Sequence, residues 1–147
     1  MKAVILALVF ILTGALGQTK DLPRVEFELR LAEDKPASGL TEFTFEDLKL
    51  YLHEAAVITN KDVIDARVLE GIREGLFDIE IVLSPEGTES ISKASASHIG
   101  KKMAILLNGE IKSAAIVTSA LSSGIIMITG NFNGEQAERL AEGIRSK

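Results

Sequence analysis

The last third of the chain restricts the fold more than any other part, because almost every boundary between its secondary-structure elements carries a recognisable signal. Ser84-Pro85-Glu86 opens a helix with a capping serine, a proline suited to the first turn and an acid near the positive end of the helix dipole. Asn108-Gly109 is the strongest two-residue hairpin signal, since both turn positions need a positive φ. Asn133 begins a second helix, with Gln136 at the capping-box spacing. The predicted order is helix, strand, turn, strand, strand, helix.

The rest of the chain is predicted mainly from the alternation of apolar and polar residues. Residues 24–31 alternate strictly and form the clearest half-buried strand, whereas residues 32–44 are predicted as a loop. Residues 50–58 are predicted as a short strand, and Asn60 as the cap of a short helical turn. Residues 66–72 fit either a helix or a strand, and a hairpin of two strands over residues 66–83 is favoured over a helix. Because each helix has one apolar side, the helices should pack together on the sheet. The predicted fold class is α+β and ferredoxin-like, with a mostly antiparallel sheet and two amphipathic helices on one face.

The N-terminus has the pattern of a secretory signal peptide. A lysine precedes the apolar run 3–12, and the small residues Ala15 and Gly17 fit a cleavage site. The run is shorter than the roughly 18–20 residues of a spanning helix, which disfavours the alternative of a membrane anchor. We therefore expect a signal peptide at 1–17 and a single α+β domain at 18–147. The protein should be exported, periplasmic or extracellular, without stable membrane insertion after the signal is cleaved.

Composition excludes several classes of partner. The formal net charge is −5 and no basic run occurs, so neither nucleic acid nor anionic lipid is an expected partner. The chain has no cysteine, so an exported protein of this kind must depend on its hydrophobic core rather than on disulfides. One tyrosine and no tryptophan supply little for stacking on bases or sugars. A protein or peptide partner is the expectation that remains, and the oligomeric state stays open.

No group of residues has the spacing of a catalytic or metal site. The two histidines, His53 and His98, lack neighbouring His, Asp or Glu residues at ligand spacing, so neither a metal nor another cofactor is predicted. The serines of residues 84–97 lie outside any G-x-S-x-G elbow, and the glycines form no phosphate-binding loop. We therefore predict a protein that is not an enzyme.

Several phrases resemble one family in their order and spacing. Residues 57–66 (VITNKDVIDA) are similar to V-L-T-G-x-D-I-x-D-A, and residues 100–109 (GKKMAILLNG) are similar to G-K-x-L-A-I-V-L-D-G. Residues 110–114 (EIKSA) resemble x-V-x-S-A-P, although Ala115 stands where the family has proline. Residues 124–132 (GIIMITGNF) resemble G-x-x-x-I-x-G-x-F. On these residues the chain resembles the head part of the first periplasmic domain of the protein-export subunit SecD.

The resemblance implies a binding role. In that family the head belongs to a membrane protein that works with SecF and uses the proton gradient, and its role involves exported chains leaving the translocon. This sequence has no second apolar stretch that could cross a membrane, so we expect a stand-alone version of the head. The expected function is a non-catalytic binding module that contacts unfolded exported polypeptide or a partner protein of the envelope.

Candidate contacts follow from the physics of an open sheet, because an extended peptide can add to an unpaired edge strand. We place these contacts at Phe43, Phe45 and Tyr51, with the alternative that Phe43 and Phe45 belong to the core. Two other functions stay open. One is an accessory or sensory ligand-binding domain unrelated to export, and the other is a hydrolase, which would need titratable residues to converge in one pocket.

Overall fold

The computed structural model describes residues 23–146, which contain nine strands, two α-helices and a short 3-10 helix. The strands are β1 (Phe27–Glu33), β2 (Leu40–Phe45), β3 (Leu48–His53), β4 (Ile58–Thr59), β5 (Val63–Glu70), β6 (Phe77–Leu83), β7 (Lys102–Leu107), β8 (Glu110–Ile116) and β9 (Ile125–Phe132). The helices are α1 (Pro85–Ala96) and α2 (Gly134–Arg145), and the 3-10 helix is Asn60–Asp62. The predicted signal peptide at 1–17 lies outside the described residues.

The strands form two separate sheets in which every pairing is antiparallel. The larger sheet has the order β2-β3-β1-β7-β8, with β4 also paired to β1, and the smaller has the order β5-β6-β9. The prediction of a mixed fold with mostly antiparallel strands and two helices is confirmed. The finer expectation of one ferredoxin-like sheet is not confirmed. The chain leaves the larger sheet after β4, returns to it at β7 and leaves it again after β8, so β5, β6 and β9 pair only with one another.

The larger hydrophobic core joins both sheets and both helices. It contains Phe27 and Leu29 from β1, Ile79 and Ile81 from β6, and Ile91 and Ile144 from α1 and α2, all buried. Burial of a side chain of this size contributes about 1.5–3 kcal/mol, so this cluster is the main source of stability. Both helices thus contribute buried side chains to the core that the two sheets share.

A second, smaller core covers the opposite face of the larger sheet. It consists of Ala32, Leu50, Leu52, Ala104, Leu106 and Ile111, with Phe43, Phe45 and Ala114 packed against it. Strand β7 is buried on both faces: Met103 and Ile105 join the larger core, while Ala104 joins the smaller one. A strand covered on both sides needs a continuous apolar run, which is what residues 103–107 provide.

The local signals for helices and turns are satisfied as the sequence predicts. The Ser84 side chain accepts a hydrogen bond from the Gly87 N–H at 3.1 Å. The Asn133 side chain accepts from the Gln136 N–H at 2.8 Å, and the Gln136 side chain accepts from the Asn133 N–H at 2.9 Å. Asn108 has a φ of 51°, which suits the hairpin turn between β7 and β8.

Two predicted boundaries are wrong. The segment predicted as a loop at residues 32–44 includes the end of β1 and most of β2. The strand predicted at residues 50–58 is instead two strands, because β3 pairs with the end of β1 at Ala32 and β4 pairs with its middle at Leu29. A bend in the chain between β3 and β4 allows both strands to lie on the same side of β1.

Asn60 has a different role from the predicted helix cap. Its side-chain oxygen accepts from the Phe27 N–H at 2.8 Å, and its side-chain nitrogen donates to the carbonyls of Val25 at 2.9 Å and Ile144 at 3.2 Å. The Thr59 N–H donates instead to the Asp62 carboxylate at 3.0 Å. Asn60 is buried and joins the start of β1 to the end of α2.

Candidate functional site

Strand β2 is an edge of the larger sheet. It pairs with β3 on one side, and no strand within residues 23–146 pairs with its other side. A two-residue turn, Glu46-Asp47, joins the strands, so Phe45 faces Leu48. The residues that flank such a turn form a hydrogen-bonded pair, and the two kinds of pair then alternate along the hairpin. The backbone N–H and C=O groups of Glu42 and Thr44 therefore face outward.

The three candidate contact residues lie on this hairpin but on two different faces. Phe43 is paired with Leu50 and Phe45 with Leu48, so both phenylalanines share the face of the smaller core and are half-buried there. Tyr51 is paired with Glu42 and lies on the opposite face, also half-buried. The structure thus brings Phe43 and Phe45 together at the edge and separates Tyr51 from them.

The turn end of β2 opens onto a cleft of 780 Å³ between the two sheets. Phe45 and Glu46 line one side of it, and Arg73, Lys112 and Phe132 contribute to the other sides. Arg73 donates to the Asn131 side chain at 2.5 Å, which ties the β5–β6 turn to β9. The cleft extends the surface that a ligand on β2 could reach.

At the opposite end of the hairpin, the two histidines meet at one carboxylate. Strand β1 continues its alternation beyond Leu31 to Glu33, whose Oε2 lies 2.8 Å from His53 Nε2 and 3.5 Å from His98 Nε2. Lys101 Nζ lies 3.0 Å from the other oxygen, Oε1. The expectation that neither histidine has ligand-type neighbours is therefore wrong. We call Glu33 of β1, His53 of β3 and His98, which lies in the turn directly after α1, the β1–β3–α1 cluster.

The charge on Glu33 is stabilised within this cluster. The hydrogen bond with His53 lowers the pKa of the Glu33 carboxyl below its usual value, burial opposes that effect, and Lys101 and His98 add to the lowering. Glu33 is therefore an anion at neutral pH. Sequence reasoning missed the cluster because its members are 20 and 45 residues apart (33, 53 and 98), so no local spacing connects them. The alternation of apolar and polar residues ends at Leu31, so it gave no signal for Glu33.

A family model and two curated relatives indicate the same protein family. A family model described as SecDF, P1 head subdomain, matches residues 37–147. Protein translocase subunit SecD of Desulfurispirillum indicum is 30% identical over 95 residues, covering 65% of this chain and 18% of the relative. Protein translocase subunit SecDF of Thermus thermophilus is 29% identical over 90 residues, covering 61% of this chain and 12% of the relative.

Two solved structures share the fold of this chain. A structure of SecDF in a super-membrane-facing form has a TM-score of 0.67 at 21% identity and covers 84% of this chain and 19% of that one. A structure of SecDF, a membrane component that enhances protein export, has a TM-score of 0.66 at 20% identity and covers 99% of this chain and 70% of that one.

The chain spans less than a fifth of the length of the two curated relatives. Neither helix within residues 23–146 combines the length and the apolar character needed to cross a membrane. The family expected from the sequence is confirmed by the match to more than half of the chain. This protein belongs to the SecDF P1 head subdomain family.

Proposed function

We propose that this chain is a periplasmic, export-linked binding module that holds an extended segment of polypeptide against strand β2. Two relatives bear the name protein translocase subunit, and one similar structure is of a membrane component that enhances protein export, which supports a protein partner and a role in export. The comparisons give no support to the sensory or hydrolase alternatives. Holding a polypeptide requires no catalytic group.

The observation that carries the proposal is the unpaired outer edge of β2. Each outward-facing N–H and C=O of Glu42 and Thr44 can form a main-chain hydrogen bond with an added strand. Natural proteins usually protect such edges, because they invite pairing with other chains. The outer edge of β2 is paired with no strand within residues 23–146, although β8 approaches β2, and an unpaired edge is suited to capture extended segments of many sequences.

The side chains around the edge favour an apolar segment on one face. Alternate residues of an added strand would lie beside Phe43 and Phe45 and extend the smaller core. The other residues would lie beside Glu42 and, one strand further in, Tyr51. Because most of the binding energy would come from main-chain hydrogen bonds, we expect weak, sequence-tolerant affinity.

The experiment compares Thr44→Pro with Thr44→Ala in binding to a fluorescently labelled, reduced and unfolded polypeptide, followed by anisotropy. Proline removes the outward N–H and places its ring where an added strand would dock, yet it suits an edge position of a strand. Alanine removes the same side chain and keeps the N–H. We expect binding in the high micromolar range for wild type and for Thr44→Ala, and at least tenfold weaker binding for Thr44→Pro.

Circular dichroism and thermal unfolding of both variants provide the folding control. Equal binding by the folded Thr44→Pro and Thr44→Ala proteins would refute the edge as the contact. Failure of the wild-type protein to bind any unfolded polypeptide at high micromolar concentration would refute the function itself.

A further inference from the structure

We propose that the β1–β3–α1 cluster is a binding site for one divalent transition-metal ion of the zinc class. Glu33 lies on β1, His53 on β3 and His98 in the turn after α1, and their candidate ligand atoms all lie within 4.8 Å of one another. Two imidazole nitrogens and one carboxylate oxygen are a ligand set that zinc uses in proteins. The inference goes beyond the proposed function and does not depend on it.

The distances suit a tetrahedral ion. Zinc lies about 2.0–2.2 Å from nitrogen and oxygen ligands, which places two ligand atoms about 3.3 Å apart in tetrahedral geometry. Glu33 Oε2 lies 2.8 Å from His53 Nε2 and 3.5 Å from His98 Nε2. Each imidazole nitrogen is therefore within about 0.5 Å of ligand spacing from the carboxylate oxygen, and the ligand atoms of the two histidines lie within 4.8 Å of each other. Three protein ligands leave a fourth position for water or for a group from a partner.

The carboxylate is already oriented for this role. Lys101 Nζ lies 3.0 Å from Glu33 Oε1, so the lysine occupies one oxygen while both imidazoles face the other, Oε2. Ligand carboxylates in metal sites are held by outer partners in the same way, and such partners strengthen metal binding. A bound cation would also take the place of the Nε2 hydrogens that the two imidazoles direct at the carboxylate.

The histidines differ in how firmly they are held. The His98 side chain is 6% exposed, and its Nε2 lies 3.2 Å from the Ala32 carbonyl oxygen. Metal binding at Nε2 places the proton of that ring on Nδ1 and releases the contact with Ala32. The His53 side chain is 39% exposed and stands edge-on to His98, with ring centroids 5.8 Å apart. His98 is thus the anchored ligand, and His53 can adjust.

An ion can reach the cluster from solvent. Glu33, His53 and Lys101 line an open pocket of 510 Å³ whose other wall is the loop between β1 and β2, including Pro36 and Ser38. The neighbouring acid Asp34 is paired with Lys102 at 2.5 Å, outside the cluster. Asp34 lines the same pocket but is not among the candidate ligands, so it is a matched carboxylate for comparison with Glu33.

The composition simplifies the test, because the whole sequence contains two histidines and no cysteine, so other imidazole or thiolate ligands are excluded. Tag-free protein, treated with a chelator and dialysed, is titrated with zinc chloride by calorimetry. We expect one zinc per chain. His53→Gln and Glu33→Gln should each weaken binding at least about tenfold, whereas Asp34→Asn should leave binding unchanged.

Nuclear magnetic resonance of the imidazole nitrogens supplies a second readout. Both histidine rings should shift together and saturate at one equivalent of zinc. The proposal is overturned if the folded protein shows neither heat nor imidazole shifts with excess zinc. It is equally overturned if zinc binds but His53→Gln and Glu33→Gln bind as tightly as wild type, since carboxylates elsewhere would then hold the ion.

Discussion

Gly143 of α2 lies so close to Val25 that a Cβ at position 143 would overlap Val25 Cγ2 and lie 2.9 Å from the Pro23 carbonyl oxygen. The Val25 N–H donates to the Gly143 carbonyl at 3.0 Å, so the backbones of the two segments meet directly. The C-terminal helix thus holds the segment that leads into β1.

Gly143→Ala should therefore destabilise the protein, although alanine is normally the better helix residue. We expect the free energy of unfolding in urea to fall by about 1–3 kcal/mol, the usual cost of overpacking. Gly134→Ala in the same helix is the control, because its Cβ would lie at an ordinary 3.4 Å from the Phe77 ring. Equal stability of the two variants would contradict the close approach of α2 to Val25.

Asn60→Ala should be among the most damaging polar substitutions in residues 23–146. It leaves the Phe27 N–H and the carbonyls of Val25 and Ile144 without their side-chain partner in a buried position. We expect a loss of about 2–3 kcal/mol in the free energy of unfolding. The control is Asn131→Ala, at an exposed position where the side chain accepts from Arg73, and it should change the free energy of unfolding little. A similar loss of stability in both variants would argue against the buried role of Asn60.

Two serines near the end of α1 give a matched comparison. Ser95 is buried, donates to the Ile91 carbonyl at 2.6 Å and accepts from the Leu121 N–H at 2.8 Å, whereas Ser97 is exposed. Ser95→Ala leaves the Leu121 N–H without that acceptor, so thermal and urea unfolding should show a loss of about 1–2 kcal/mol. Ser97→Ala should change stability by less than about 0.5 kcal/mol. A larger loss of stability for Ser97→Ala than for Ser95→Ala would show that Ser95 does not hold the segment after β8.

Phe43 and Tyr51 lie on opposite faces of the β2–β3 hairpin, so their effects on polypeptide binding should be independent. We expect Phe43→Ala and Tyr51→Ala each to weaken binding about fivefold. The double variant should show the product of the two effects, to within about 0.5 kcal/mol. Anisotropy with the same labelled polypeptide measures all three. No effect of Tyr51→Ala would restrict the contact to the face of the smaller core.

Local signals in the sequence predicted much of the fold. Ser84, Asn108 and Asn133 mark boundaries that the structure confirms, because a cap or a tight turn is completed by residues within three or four positions. Alternation likewise predicted which side of β1 and β6 is buried. The prediction was wrong where a polar residue such as Glu33 continues a strand, since a charged side chain gives no burial signal.

Contacts between segments that are distant in sequence determine the arrangement of the sheets and of the candidate sites. Alternation of apolar and polar residues indicates that one face of a strand is buried, but not which element covers it. The division of the strands between two sheets could therefore not be predicted from this pattern. The meeting of Glu33, His53 and His98 is of the same kind, because β1, β3 and the end of α1 come together only when the sheet and the helix pack. By itself the sequence determined the element types, the caps and turns and the family resemblance, since these depend on near neighbours. Only the tertiary structure decided the open edge at β2 and the cluster at Glu33, because both are set by which strands and helices pack together.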